Sequence, residues 1–261
     1  MPLLEIGDAQ LNYRLDGPAR APVLVLSNSL GTQLDMWAPQ VAAFSERFRV
    51  LRYDSRGHGQ SAVTPGPYTI ERLGRDVIAM LDALAIERAH FCGLSKGGMV
   101  GMWLGVNASP RIDRLVLANT AAKVGTAELW NARIEAVRQG GMAAVADTVV
   151  GRWFTDGFRA REAAAVSRVR QMLLDTPPEG YIACCAAVRD MDQREDIAHV
   201  SRPTLVIAGT YDAATPPVDT RRVAETVPGA RYVELDSSHL SNVEQAGRFT
   251  EEAMGFLTAG G

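Results

Sequence analysis

The chain contains no run of Lys or Arg and no acidic tail, and its formal net charge is only -3. Neither a nucleic-acid surface nor a highly charged solvated segment is therefore indicated. No stretch approaches the roughly 18 consecutive apolar residues needed to span a bilayer. The opening Met1-Pro2-Leu3-Leu4-Glu5 lacks a basic stretch followed by a sustained apolar run, which sets the expectation of a cytoplasmic protein with no membrane partner. The three cysteines, Cys92 and the adjacent Cys184 and Cys185, offer no C-x-x-C spacing and no even framework. Neighbouring cysteines seldom bridge each other, so reduced thiols are expected. No cluster with metal-ligand spacing is visible, and neither a metal nor an organic cofactor is expected. No internal repeat, low-complexity tract or flexible linker interrupts the chain. Small molecules remain as the expected partners, and oligomeric state is not readable.

What is present is a core-forming composition: 261 residues with 47% hydrophobic content suffice for one large domain with room for an insertion. Leu3 to Ile6 and Gln10 to Leu15 read as short antiparallel edge strands. Pro22 to Ser27, Arg49 to Tyr53 and Arg114 to Ala118 carry the apolar runs of buried strands, Ala89 to Cys92 is strand-like, and the sheet pattern resumes at Pro203 to Ala208 and Tyr232 to Leu235. Between two of them, Leu73, Val77, Met80, Leu81 and Leu84 recur at helical spacing within Ile70 to Leu84. Repeated strand, helix, strand units predict an α/β fold, a mostly parallel sheet covered by helices on both faces, with active residues at the carboxyl ends of strands. From 123 to 196 no strand run appears. Helical stretches over Leu129 to Gln139, Met142 to Val150, Ala160 to Leu174 and Glu179 to Arg189 predict a helical cap (lid) there, inserted into a core of 1–122 and 197–261. A helix from Glu244 to Leu257 is expected to close the core.

The chemistry concentrates in Gly93-Leu94-Ser95-Lys96-Gly97, between a strand and the helical Gly98 to Asn107. In a chain with 24 glycines the bare pattern can arise by chance, but the flanking strand and helix give it a mechanical meaning. A tight strand-to-helix turn holds its central residue in a left-handed conformation, and the positions two before and two after must be small for the backbone to pass. Such a turn lifts the Ser95 hydroxyl clear of the sheet and turns the Lys96 amide toward an oxyanion. The Lys96 side chain is expected to point to solvent.

A serine hydroxyl needs an imidazole to take its proton and a carboxylate to orient that imidazole. Of four histidines, His239 lies just past the last strand, where a loop can reach the turn. His58, in the Gly-rich Asp54 to Ser61 loop, is expected to shape the pocket wall. His90 begins a strand, away from its carboxyl end, and His199 precedes Arg202-Pro203. Asp212 follows the Leu205 to Gly209 strand and is the preferred orienter, with capping of a helix near Pro216 as its bland alternative and Asp219 and Asp236 as other orienters. The order Ser95, Asp212, His239 is that of the α/β-hydrolase architecture. Beside Lys96, the second oxyanion amide is expected from Leu30 in the loop after the Val23 to Ser27 strand, where Gly31 would let the chain bend.

On these residues the chain resembles the α/β-hydrolases, and within them it is similar to the 3-oxoadipate enol-lactonases. The finer resemblance rests on Ser27-Asn28-Ser29-Leu30-Gly31-Thr32, where many relatives carry His-Gly at positions 28 and 29, and on Ser237-Ser238-His239-Leu240-Ser241-Asn242-Val243-Glu244-Gln245. Lys96 departs from the Met or Gln of many relatives. The resemblance implies hydrolysis of a small anionic lactone by Ser95, through an acyl-enzyme and without a cofactor. The substrate's free carboxylate needs a cation, and the helix carrying Arg133 and Arg138 also presents Trp130. Arg133 is the candidate for the carboxylate and Trp130 for the pocket wall, against the alternative of solvated lid charges. A general carboxylesterase, another lactonase, a carbon-carbon bond hydrolase and a cofactor-free perhydrolase would use the same three residues. A haloalkane dehalogenase would need a carboxylate at position 95, and a ligand receptor would have no use for an intact triad.

Overall fold

The central apolar runs become strands because both faces of the sheet are covered there. In the computed structural model of the protein, which describes residues 3–259, strands β1 Leu3–Glu5, β2 Gln10–Asp16, β3 Val23–Ser27, β4 Arg49–Tyr53, β5 Ala89–Leu94, β6 Ile112–Ala118, β7 Thr204–Gly209 and β8 Arg231–Leu235 form one sheet. Their spatial order is β1-β2-β4-β3-β5-β6-β7-β8. β2 runs antiparallel to β1 and β4, and every other pairing is parallel. Met1 and Pro2, at the head of the N-terminal stretch, and Gly260 and Gly261, at the end of the second core segment, lie outside the described residues. Leu24, Leu26, Phe91, Leu115, Leu117, Val206 and Ile207 are completely buried, which is why these strands read as unbroken apolar runs rather than as alternation.

The helices are α1 Ala38–Ser45, α2 Ile70–Ala83, α3 Lys96–Asn107, α4 Ala127–Gly140, α5 Ala143–Trp153, α6 Asp156–Arg161, α7 Ala163–Leu174, α8 Pro178–Asp190, α9 Pro217–Thr226, α10 Ser241–Glu244 and α11 Ala246–Thr258. Helix α2 starts where the Thr69 hydroxyl accepts the Arg72 amide hydrogen, and it buries Leu73, Val77, Met80 and Leu81 on one face. Helices α4 to α8 lie between β6 and β7, in the stretch expected to form an insertion. The single helix expected over Ala160 to Leu174 is two: the chain breaks at Glu162 (φ -119, ψ 42), after α6 has been capped by the Thr155 side chain. The closing helix also starts later than expected, because Gln245 (φ -121, ψ 47) separates α10 from α11.

Cys92, Cys184 and Cys185 are unbridged and buried. No helix among the described residues is long and apolar enough to cross a membrane. Ser95, Asn119, Asp212 and His239 follow β5, β6, β7 and β8, so the parallel strands deliver them to one end of the sheet.

Candidate active site

Ser95 occupies the turn between β5 and α3 with φ 57 and ψ -116, a left-handed conformation unusual for a residue with a side chain. The turn is possible only because its neighbours are glycines. A Cβ on Gly93 would lie 2.2 Å from the Gly97 carbonyl oxygen, and one on Gly97 would lie 2.1 Å from that of Ser27. The strained backbone is held by Ser95 N–H donating to the Ala118 carbonyl at 2.9 Å and by the Thr120 hydroxyl donating to the Ser95 carbonyl at 2.8 Å.

His239 and Asp212 meet as the sequence predicts. His239 Nδ1 lies 2.8 Å from Asp212 Oδ2, with both side chains buried. The other carboxylate oxygen accepts the amides of Ala214 and Thr215 at 2.8 and 2.9 Å, so Asp212 shapes its own loop as well as orienting the ring. Burial alone would push the Asp212 pKa up; the His239 charge and hydrogen bonds from His239, Thr215 and Asn119 outweigh it and hold the carboxyl below its ordinary value. An ionised Asp212 accepts the Nδ1 hydrogen, which leaves Nε2 as the basic nitrogen. His239 and Ser95 line one cavity of about 340 Å³, although no hydrogen bond joins their side chains among the described residues. Asp219 lines the cavity too but is paired with Arg222, and Asp236 is exposed; neither is bonded to His239. His90 packs edge-on to Phe48, and His199 is exposed.

The loop after β3 brings Leu30 to the same cavity. Gly31 has φ +79, and a Cβ there would lie 2.4 Å from Leu173 and 3.1 Å from the Tyr181 ring, so the bend requires glycine twice over. The amides of Leu30 and Lys96 have no hydrogen-bond partner among the described residues, as donors awaiting an oxyanion should. His58 is not part of the cavity wall as expected. It is completely buried behind this loop, where Nε2 accepts the Gly31 amide hydrogen at 2.9 Å. The expectation for the Lys96 side chain is also overturned: it is 1% exposed. Position 96 opens a helix that is packed into the sheet directly after the strained turn, which leaves the side chain no route to solvent.

The inserted helices supply more of the cavity wall. Trp130 and Arg133 of α4 both line the cavity, with the Arg133 guanidinium 4.9 Å from the Trp130 ring centroid. Arg138 is exposed and paired with Glu135. Arg152 lines the cavity as well, and neither it nor Arg133 pairs with a carboxylate among the described residues. Arg152 was not singled out from the sequence, although Val149, Arg152 and Trp153 have the spacing of one helix face and all line the cavity. Asn119 was missed too. It is buried at φ 45, donates to Asp212 Oδ2 at 3.1 Å and to the Ser238 carbonyl at 3.2 Å, and accepts from Ser241. Its one sequence signal is a polar residue at the carboxyl end of a buried strand. No group of three or more His, Cys, Asp or Glu able to hold a metal occurs among the described residues.

The arrangement offers an activatable hydroxyl, an oriented imidazole and two spare amides in one cavity, which suits acyl transfer. Comparison with known proteins agrees. Residues 22–246 match a family model described as alpha/beta hydrolase fold. Two relatives from Acinetobacter baylyi, named 3-oxoadipate enol-lactonase 2 and 3-oxoadipate enol-lactonase 1, are each 43% identical, covering 93% and 95% of this chain and 91% and 92% of their own lengths. The crystal structure of the enol-lactonase from Burkholderia xenovorans LB400 superposes with a TM-score of 0.97 at 48% identity, over 98% of this chain and 100% of that one.

Proposed function

The chain belongs to the alpha/beta hydrolase fold family, and from that footing we propose that it hydrolyses 3-oxoadipate enol-lactone to 3-oxoadipate in bacterial aromatic catabolism, in the cytoplasm. Ser95 Oγ attacks the lactone carbonyl as His239 Nε2 takes its proton, and the ionised Asp212 stabilises the imidazolium that forms. The amides of Leu30 and Lys96 hold the oxyanion; removing one such donor typically raises the barrier by about 3–4 kcal/mol. Collapse of the tetrahedral intermediate opens the ring and expels an enolate, which His239 protonates. An enolate leaves more readily than an alkoxide, so the general acid has a light task, and the enol tautomerises to the ketone after release. Water activated by His239 then cleaves the acyl-enzyme.

Residues 123–196 act as the cap that closes this site. Arg133 and Arg152 answer the substrate carboxylate, and Trp130 supplies apolar wall. The observation that carries the reading over a general esterase is the pair of guanidinium groups, neither paired with a protein carboxylate among the described residues, of residues that line the same cavity as Ser95 and His239. A cavity of about 340 Å³ fits a small lactone. The test is to compare kcat/KM for the enol-lactone with that for a neutral aryl acetate, using the wild-type protein and Ser95→Ala. The reading requires the lactone to be preferred by at least about tenfold and both activities to vanish with Ser95. A preference for the aryl ester would make the protein a general carboxylesterase.

A further inference from the structure

Lys96 is built against the interests of stability. It is the first residue of α3, where the helix dipole already presents positive charge, and a cation there is unfavourable. The side chain is 1% exposed, yet its ammonium makes no hydrogen bond or ion pair among the described residues. A buried charge without a partner is among the costlier groups a fold can carry. The groups around it come from several elements: His58 and Asp54 from the loop after β4, Asp76 from α2 and Cys184 from α8. Burial pulls the Lys96 pKa below its ordinary value, while Cys184, Asp76 and Asp54 oppose that pull from a distance. A Met at this place would fill the volume without these costs.

The residue lines the catalytic cavity, and its own amide is one of the two donors assigned to the oxyanion. Covalent reach bounds the rest: a lysine ammonium lies within about 7 Å of its own backbone nitrogen, and so within about 10 Å of an oxyanion held on that amide by a bond of about 3 Å, a range over which a charge still acts through a medium of low dielectric. We propose that Lys96 is a specificity- and rate-determining residue whose ammonium, together with its amide and the α3 dipole, lowers the energy of the tetrahedral oxyanion. This rests on the reading of Ser95 as nucleophile. The charge is not spent on the substrate carboxylate, for which the cavity lining offers Arg133 and Arg152. Its function is to be uncompensated until an oxyanion forms.

The test uses the intact protein, Lys96→Met and, as a second neutral variant, Lys96→Gln. Three quantities are read: kcat for a neutral aryl acetate, the inhibition constant of phenylboronic acid, which forms an anionic tetrahedral adduct on an activated serine, and Tm. Lys96→Met is expected to lose about tenfold or more in kcat with little change in KM, to bind the boronic acid about tenfold more weakly, and to melt about 2–4 °C higher. The wild-type kcat should also fall on the alkaline side below the ordinary lysine range, a limb absent from both variants. Neutral variants that keep kcat and boronic acid affinity within twofold of wild type overturn the proposal, as does a Lys96→Met that melts lower and loses activity only through unfolding. Boronic acid binding that is abolished in Ser95→Ala establishes the nucleophile independently. If the wild-type protein itself does not bind the boronic acid, the nucleophile reading fails and this inference falls with it.

Discussion

His58 Nε2 accepts the Gly31 amide hydrogen at 2.9 Å, and this bond couples the loop after β4 to the loop that carries the Leu30 amide. The coupling is anchored further back. Arg56, two residues away, is clamped by Asp76 at 2.9 and 2.5 Å and reaches Asp8 at 3.0 Å. The loop that carries Leu30 is thus held by this polar relay as well as by the bend that Gly31 permits. His58→Phe leaves the Gly31 amide without an acceptor and lets the loop relax, so kcat should fall by about 10- to 100-fold. His58→Gln retains an acceptor and should keep kcat within a few-fold. Steady-state rates on an aryl acetate check both; equal losses in the two variants would show that ring volume, not the hydrogen bond, is what matters.

The same histidine makes stability depend on pH. Burial, reinforced by the nearby Lys96 charge, holds its pKa well below the ordinary histidine value. An unfolded histidine takes a proton near pH 6.5 while the folded one does not, so the unfolded state binds more protons below that pH and stability falls as the solution is acidified. The slope approaches about 1.4 kcal/mol per pH unit for one such group. His90 is shifted in the same direction by burial, so the informative quantity is the difference between wild type and His58→Gln. Urea unfolding at pH 7.5, 6.0 and 5.0 should show a shallower loss in the variant.

Asp212→Asn should lower kcat by about 10⁴-fold, because an amide facing Nδ1 no longer selects the tautomer that leaves Nε2 basic. Asn119 acts one step behind, since its amide group aims Asp212 and pins the Ser238 carbonyl next to His239. Asn119→Gly keeps the φ 45 backbone easy but removes both bonds; Asn119→Ala removes them and adds left-handed strain. Both should lose about tenfold in kcat, and the alanine variant should be the less stable by about 1 kcal/mol. Rates and urea midpoints separate the two contributions.

How much of this was readable before the fold is instructive residue by residue. The turn at Ser95 was legible because its strain demands glycine at two fixed offsets, and Gly93 and Gly97 each pass a backbone carbonyl that a Cβ would strike. The strands were legible as apolar runs because both faces are covered. The two segments that suggested the family have a shared physical cause: Asn28 binds the Tyr53 carbonyl and the Trp37 indole, while Asn242 binds the Met36 carbonyl and Gln40, so both clamp the segment leading into α1. The breaks at Glu162 and Gln245 were not legible, since neither carries a glycine or proline signal and both residues are good helix formers. Lys96 was misread because composition assigns lysine to solvent, whereas position 96 is fixed by a turn that leaves no path outward.

The two arginines that line the cavity give the sharpest test of substrate choice. Arg133→Ala and Arg152→Ala should each raise KM for the enol-lactone by about tenfold while leaving neutral aryl ester turnover within about twofold, since a charge-assisted bond to a carboxylate helps only a substrate that has one. Arg133 also packs over Trp130, so Arg133→Met, which preserves bulk, distinguishes lost charge from lost packing. Equal effects on both substrates would mean that these side chains hold the cap rather than the ligand.

Glu244 ties the inserted helices to the loop of His239. Its carboxylate accepts the Ser238 amide at 2.9 Å and both the amide, at 3.3 Å, and the hydroxyl of Thr155. Beside it, the Leu240 amide donates to the Trp153 carbonyl at 3.0 Å and the Ser238 hydroxyl to that of Arg152 at 2.8 Å. The His239 loop and the α5–α6 junction are therefore fastened to each other, and displacing this junction would also displace His239. Glu244→Ala should cost about 1–3 kcal/mol of stability and about tenfold in kcat, with faster hydrogen exchange at the Ser238 and Thr155 amides and unchanged exchange in α4. Exchange that quickens in α4 and not at Ser238 would show that Glu244 does not fasten this junction.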